Sequence, residues 1–318
     1  MDSAPLWFMT ADGPAGERLA RLGWPVLITF LIVTAVMWGL LFWVAVRRRG
    51  TLAEHAPPDT GGGLGWVLVG GFAIPVVILA VFFVMTLRSL AAFPMPRHAD
   101  DPEIRVTGLR WWWDVEYLGM PVHLQVRSPN EIHIPVGRPV DIALESHDVI
   151  HSFWVPRLHG KVDLVPGMTN RIRVQADRPG IYRGRCAEYC GLQHAHMLFD
   201  VIAHPEDEFR EWLAAQRQPA RTPGSPSARE GQRLFMASAC VLCHTVRGTP
   251  AQGRVGPELT HLASRRRIAG GMLWNRRADL QAWVTHAQSL KPGAQMPDLA
   301  HFTGDELNAL VDYLQSLE

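Results

Sequence analysis

Two long uncharged runs open the chain. The first extends from Leu22 to Val46, the second from Thr60 to Leu87. A helix needs about 20 consecutive apolar residues to cross a bilayer, so each run is long enough. Trp24 and Trp43 lie near the ends of the first run, where interfacial aromatic belts form. That run is too long for the core of a cleaved signal peptide, and it follows acidic residues and ends in Arg47-Arg48-Arg49. The three arginines mark the loop between the runs as cytoplasmic and place both ends of the hairpin outside. Pro75, inside the second run, is tolerated in a membrane helix and is expected to kink it.

After a break at Pro94–Pro102 the apolar period becomes two. Val140, Ile142 and Leu144 share one parity, as do Ile172, Val174 and Ala176, and Met197, Phe199 and Val201. Such alternation predicts half-buried strands. Turn residues separate them at Pro129-Asn130, Pro135, Gly137, Pro166-Gly167 and Pro179-Gly180. Several short strands spaced in this way predict a Greek-key sandwich or barrel. Residues 207–216 read as a short amphipathic helix. Pro219–Ser227 reads as a flexible linker by composition. Beyond it, Glu230–Ala237 and Thr303–Leu317 read as helices, the latter with Thr303 as N-cap and Glu306 completing a capping box.

The chain of 318 residues is therefore multidomain. The expected divisions are an N-terminal extramembrane segment 1–21, a transmembrane helical hairpin 22–90, an all-β domain 100–205, a helix and linker 206–228, and an all-α domain 229–318. Lys and Arg total 31 against 30 Asp and Glu, which leaves no concentrated basic face for a nucleic acid. No internal repeat is visible. The four cysteines form two close pairs, Cys186/Cys190 and Cys240/Cys243, and each sits in a motif suited to a cofactor.

The first pair lies in Cys186-Ala-Glu-Tyr-Cys190-Gly-Leu-Gln-His194-Ala-His-Met197, and His151 stands upstream. Thiolate, thioether and imidazole suit copper or zinc rather than calcium or magnesium. A disulfide would leave His151, His194 and Met197 without a purpose, and structural zinc has no use for Met197. Both cysteines can bridge one pair of metals, with His151 and His194 capping one each. Met197 and the Glu188 carbonyl then remain as weak ligands. His196 is the rival imidazole. The second pair lies in Cys240-Val-Leu-Cys243-His244, the attachment signature of c-type haem. Zinc is its main competitor.

Both motifs resemble known families. His151 followed by Cys-x-Glu-x-Cys-x-x-x-His-x-x-Met resembles the binuclear copper A (CuA) pattern of cytochrome c oxidase subunit II, with every position filled. The resemblance covers roughly residues 20–205 and implies a cupredoxin fold. It favours His194 over His196, because the pattern puts two residues before the methionine. Arg110-Trp111-Trp112-Trp113-Asp-Val-Glu-Tyr117 resembles the aromatic segment of that family, and Gly160–Gly167 resembles the loop that seats the domain on subunit I. By the same resemblance Trp111 is the point of electron entry. Alternation along a strand would then leave Trp111 exposed and turn Trp112 inward. Gly256-Pro257-Glu-Leu259 resembles the cytochrome c turn whose proline carbonyl holds the proximal histidine, and Lys291–Pro297 resembles the methionine loop. Residues 229–318 thus resemble a class I cytochrome c with His244 and Met296 as axial ligands, preferred over Met236 and Met272. His261, His286 and His301 have no motif around them.

Together these features resemble a caa3-type subunit II, the electron-entry subunit of a proton-translocating oxidase. The implied cofactors are two copper ions, covalent haem c, and a magnesium at the subunit I interface through Glu188. The implied partners are subunit I, subunit III, a cytochrome c or other periplasmic donor, and the bilayer of a bacterial plasma membrane, with both termini and the cofactor domains periplasmic. A CuA-containing nitric oxide reductase, a quinol oxidase subunit and a copper carrier are the alternatives. Quinol oxidase relatives lose the copper ligands, and two spans plus a fused haem argue against a carrier. One departure from the family is Gly63, which stands where many relatives carry a proton-channel glutamate. Asp59 is then the nearest acid before the span, with Glu54 further back.

Overall fold

A computed structural model describes residues 10–47, 63–91, 102–119 and 125–318. Asp59, Glu54, Arg48 and Arg49 lie outside the described residues. Two units are distinct, residues 17–96 and the remainder.

The smaller unit holds two long apolar helices, α1 (Pro14–Arg47) and α2 (Gly63–Ala91). Their large side chains, among them Trp38, Phe42, Trp66 and Phe83, point outward. This is what a helix does when its surroundings are as apolar as itself. Val67–Ala73 of α2 is π-helical, and the Ile74 N–H bonds the Val69 carbonyl. Pro75 follows at once. Its ring cannot sit beside an α-helical carbonyl four residues back, and the wider turn is the local relief.

In the larger unit, residues 102–204 form two five-stranded sheets packed face to face. The first has the order β3 (Val126–Arg127), β2 (Trp112–Tyr117), β1 (Glu103–Leu109), β5 (Val140–Ser146), β8 (Asn170–Val174). The second has the order β4 (Glu131–Pro135), β10 (Leu198–His204), β9 (Gly180–Cys186), β6 (His151–Trp154), β7 (Val162–Leu164). β1 runs parallel to β5 and β10 parallel to β4, while the other pairs are antiparallel. The expected inward parities hold: Val140, Ile142, Leu144, Ile172, Val174, Ala176, Met197, Phe199 and Val201 are all buried. β4 is buried on both faces because α3 (Glu206–Gln216) covers its outer side, with Trp212 stacked 3.8 Å from the His133 ring.

The tryptophan segment departs from expectation. Trp111 lies in the turn before β2, so the alternation starts one residue later. Trp113 is the core residue, fully buried against Phe153 and Phe199. Trp112 is only half-buried, and Trp111 is 8% exposed rather than open to solvent.

Residues 10–16 pack on this sandwich. The Asp12 N–H bonds the Arg157 carbonyl and the Gly16 N–H bonds that of Leu158 (both 3.0 Å). Ala15 is buried there.

The C-terminal helices enclose a second core. Ser225 caps α4 (Pro226–Ala237), and Pro226 occupies its first turn, where a missing N–H costs nothing. α4 crosses α7 (Gly304–Gln315) at Gly231, where a Cβ would lie 1.9 Å from the Ala309 carbonyl oxygen. Thr303 and Glu306 form the expected capping box. Short α5 (Cys240–Cys243) and α6 (Arg277–Thr285) complete the frame.

The flexible linker expected at Pro219–Ser227 is instead tied down. Ala220 N–H bonds the Arg247 carbonyl (3.0 Å), and the Arg247 guanidinium holds the Gln216 and Arg217 carbonyls. His261, buried, bonds the Gln218 carbonyl. Composition did not reveal this order because its partners lie 27 residues or more away.

Candidate functional site

Elements distant in sequence bring one donor set together at the end of the sandwich. His151 opens β6, Cys186 closes β9, and Cys190, His194 and Met197 follow on the loop into β10. Cys186 Sγ lies 3.8 Å from Cys190 Sγ, 3.9 Å from His151 Nδ1 and 3.2 Å from the Glu188 carbonyl oxygen. Cys190 Sγ lies 3.6 Å from His194 Nδ1 and 3.8 Å from Met197 Sδ. His151, Cys186, Cys190 and Met197 are buried. His196 is exposed and bonds Gln193 (2.8 Å), away from the sulfurs.

A disulfide has its sulfurs about 2.05 Å apart, so this pair is reduced and open. A hydrogen bond from Cys190 draws the Cys186 thiol down to about 3, although burial opposes it. The same bond, with burial, pushes the Cys190 thiol up. The two sulfurs face one another in a place where a soft cation can replace thiol protons. The thioether beside them suits copper better than zinc.

Asp148 is a part of the site that the motif reading missed. Its Oδ1 lies 2.8 Å from His151 Nε2, which leaves Nδ1 to face the sulfurs. Burial would raise this carboxyl. Hydrogen bonds from His151 and from the Val149 and Arg110 N–H groups outweigh burial and hold it low. Carboxylate partners of this kind fix the orientation of metal-binding histidines. The Asp-x-x-His spacing was the available signal. Gly108 on β1 makes room for the imidazole, since a Cβ there would lie 2.7 Å from the ring.

The C-terminal domain encloses a largely apolar pocket that Cys240, Cys243, His244, Pro257 and Met296 all line. His244 Nδ1 donates to the Pro257 carbonyl (2.7 Å), leaving Nε2 with its lone pair. Burial keeps this imidazole neutral by lowering its pKa. Gly256 clears the ring, as a Cβ would come within 2.7 Å. Neither Met236 nor Met272 lines the pocket. Two thiols, one neutral imidazole and one thioether around an apolar cavity fit a covalent haem.

Trp111 belongs to both sites. It lines the pocket of the helical domain together with Arg110 and Trp112, and its indole N–H donates to the Cys190 carbonyl (3.0 Å). The two domains also meet elsewhere. Arg266 N–H bonds Glu131 (2.7 Å), Leu198 N–H bonds the Gly270 carbonyl (2.9 Å), and Gln193 donates to the Pro292 carbonyl (3.1 Å).

A cupredoxin-like sandwich with a thiolate-rich centre, joined to a helical haem-type domain and preceded by two long apolar helices, defines a membrane-anchored electron-transfer subunit. Residues 118–203 match the family described as "Cytochrome C oxidase subunit II, periplasmic domain", and residues 228–318 match "Cytochrome c". The chain is 34% identical over 297 residues to the cytochrome c oxidase subunit 2 of Alkalihalophilus pseudofirmus, covering 92% of this chain and 85% of that one. It is 31% identical over 291 residues to the subunit of the same name from Bacillus sp. PS3, covering 86% and 79%. A quinol oxidase subunit 2 of Bacillus cereus is 30% identical over 224 residues, covering 67% and 73%. The chain belongs to the cytochrome c oxidase subunit 2 family, in the form that carries a cytochrome c domain. It is the electron-entry subunit of a terminal oxidase and associates with the other subunits of that complex.

Proposed function

We propose that this chain passes electrons from a c-type donor through haem c to a binuclear CuA, and from there to subunit I. The observation that carries the reading is the double role of Trp111, which walls the haem pocket and bonds the backbone of Cys190. Cys240, Cys243, His244 and Met296 would hold the haem, with Pro257 orienting His244. Cys186, Cys190, His151, His194, Met197 and the Glu188 carbonyl would hold the copper. Both groups supply one-electron chemistry; the protein supplies ligands, orientation and exclusion of water. Asp148 fixes the His151 ring. Trp113, 6.1 Å from it, backs that ring with the core.

Magnesium does not fit within this chain alone. Lys161 Nζ sits 3.6 Å from the Glu188 carboxylate and 3.3 Å from Asp163, so an ammonium already satisfies both acids. Lys161 and Asp163, on the loop expected to face subunit I, and Glu188, on the copper loop, are proposed as part of that interface. Subunit III and a cytochrome c-type donor complete the proposed assembly.

We place both cofactor domains on the periplasmic side of a bacterial plasma membrane. Arg47 at the end of α1 supports this by the positive-inside bias.

Metal analysis with optical and EPR spectra of the purified oxidase tests the cofactors. Two coppers with a mixed-valence signal, and one haem c per chain, are expected in addition to the metals of subunit I. A single copper with an isolated Cu(II) signal would overturn the binuclear reading.

A further inference from the structure

One lysine that no motif assigns to the site joins the two centres. Lys291 begins the loop that carries Met296 and lines the same pocket, yet it is only 2% exposed and its ammonium reaches across to the copper domain. Its Nζ donates to the carbonyls of Trp111 (2.7 Å), His196 (2.9 Å) and Ala269 (2.9 Å). Those three carbonyls come from the tryptophan turn, the copper loop and a loop of the haem domain. Three acceptors at these distances need three N–H donors. An ammonium has three and a neutral amine has two, so the geometry calls for the charged form although burial lowers the pKa to about 7.

The surroundings are shaped to this contact. Gly270 has φ +70°, and a Cβ there would lie 2.5 Å both from Lys291 Nζ and from the Trp111 carbonyl oxygen. Gly293, two residues after Lys291, has φ +82°, and its Cβ would lie 3.3 Å from the edge of the Trp111 indole. No other residue type fits either place without strain. The indole therefore lies between the methionine loop and the Cys190 carbonyl that its N–H bonds.

We propose that Lys291 is a positioning residue for electron transfer: it clamps the methionine loop and the copper loop onto the two sides of Trp111, so that electrons cross from a fixed contact rather than after a tethered search. The inference rests on the haem-to-copper route above. It goes beyond that route by specifying a locked domain contact and the side chain that locks it. A flexible tether alone would raise the local concentration of the haem domain to about millimolar but would leave its orientation to chance. Misplacement by about an ångström costs up to about 10²-fold in rate.

The test uses the intact oxidase with Lys291→Met and Lys291→Arg. Copper and haem c content is measured first by optical and EPR spectra; loss of either group from the unaltered protein would remove the route itself. Flash-induced electron injection then follows haem c oxidation and CuA reduction in buffers of rising viscosity. The unaltered protein should transfer at a viscosity-independent rate. Lys291→Met should keep both spectra, slow transfer at least about tenfold and acquire viscosity dependence, because the contact must now be searched for. Lys291→Arg should recover part of the rate. Hydrogen exchange gives a readout independent of the redox chemistry: the Leu198 amide, bonded across the contact to Gly270, should lose protection in Lys291→Met. Viscosity-dependent transfer in the unaltered protein would overturn the proposal, whatever the variants do. So would Lys291→Met with unchanged rate and unchanged Leu198 protection.

Discussion

The two cofactor sites are built in opposite ways. In the sandwich, each donor atom from β6, β9 and the following loop already lies 3.2–3.9 Å from one of the two cysteine sulfurs, held by strands and a packed core. In the helical domain, the corresponding residues stand around a pocket, and the side chains of Phe235, Leu262, Leu280, Val284, Leu310 and Leu314 line it. The copper donors converge on one point at the end of a packed sandwich. The haem donors surround a cavity inside their own domain's core. Loss of copper should therefore cost function and little structure, whereas loss of haem should cost structure as well.

The largest expected effect follows from the second half of that contrast. Replacing both Cys240 and Cys243 by Ala removes covalent attachment and should leave residues 226–318 open to limited proteolysis, while the copper EPR signal persists. A protease-resistant helical domain without haem would break the contrast. Cys186→Ser or Cys190→Ser should do the reverse: the mixed-valence signal disappears, and the haem spectrum and protease resistance remain.

Within the sandwich the contrast can be sharpened by separating core from ligand support. Trp113→Ala empties a fully buried site and should lower stability by about 3–5 kcal/mol in urea denaturation. Asp148→Asn keeps the shape but weakens the hold on His151. It should reduce copper affinity by about 10- to 100-fold, read by chelator competition, with little change in urea midpoint. Equal loss of stability in both variants would mean that the copper site is not independent of its core.

The smallest effect concerns a histidine pair away from both centres, one ring buried and the other half-buried. His133 Nδ1 lies 2.8 Å from His204 Nε2, and burial, with His133 beside it, pushes His204 down to about 4. The unfolded chain then binds more protons between that value and the ordinary histidine range. Stability should be complete above about pH 6.5 and decline as the pH falls toward 4. His204→Gln should flatten this part of the urea-midpoint profile.

Much of this was legible in the residues. The copper loop and the Cys-x-x-Cys-His motif are contiguous, so spacing alone carries them. Long uncharged runs and two-residue alternation report the surroundings of a helix or a strand directly. Trp111 and Trp112 were misassigned because parity needs a known strand start, and the turn at Trp111 shifts it by one. Asp148 was within reach through its spacing to His151. Lys291 was not, because its partner at Trp111 is 180 residues away and nothing local in Lys-Pro-Gly indicates which way the side chain turns. The order of residues 217–225 was hidden for the same reason.

The route between the centres is tested most directly by time-resolved electron injection into the intact oxidase, comparing the unaltered chain with Trp111→Ala at the haem c and CuA bands. In the unaltered chain, haem c oxidation and CuA reduction should share one phase, independent of protein concentration. In Trp111→Ala both spectra should persist while that phase slows strongly. An unchanged rate in Trp111→Ala would contradict the route and require electrons to cross the domain contact elsewhere.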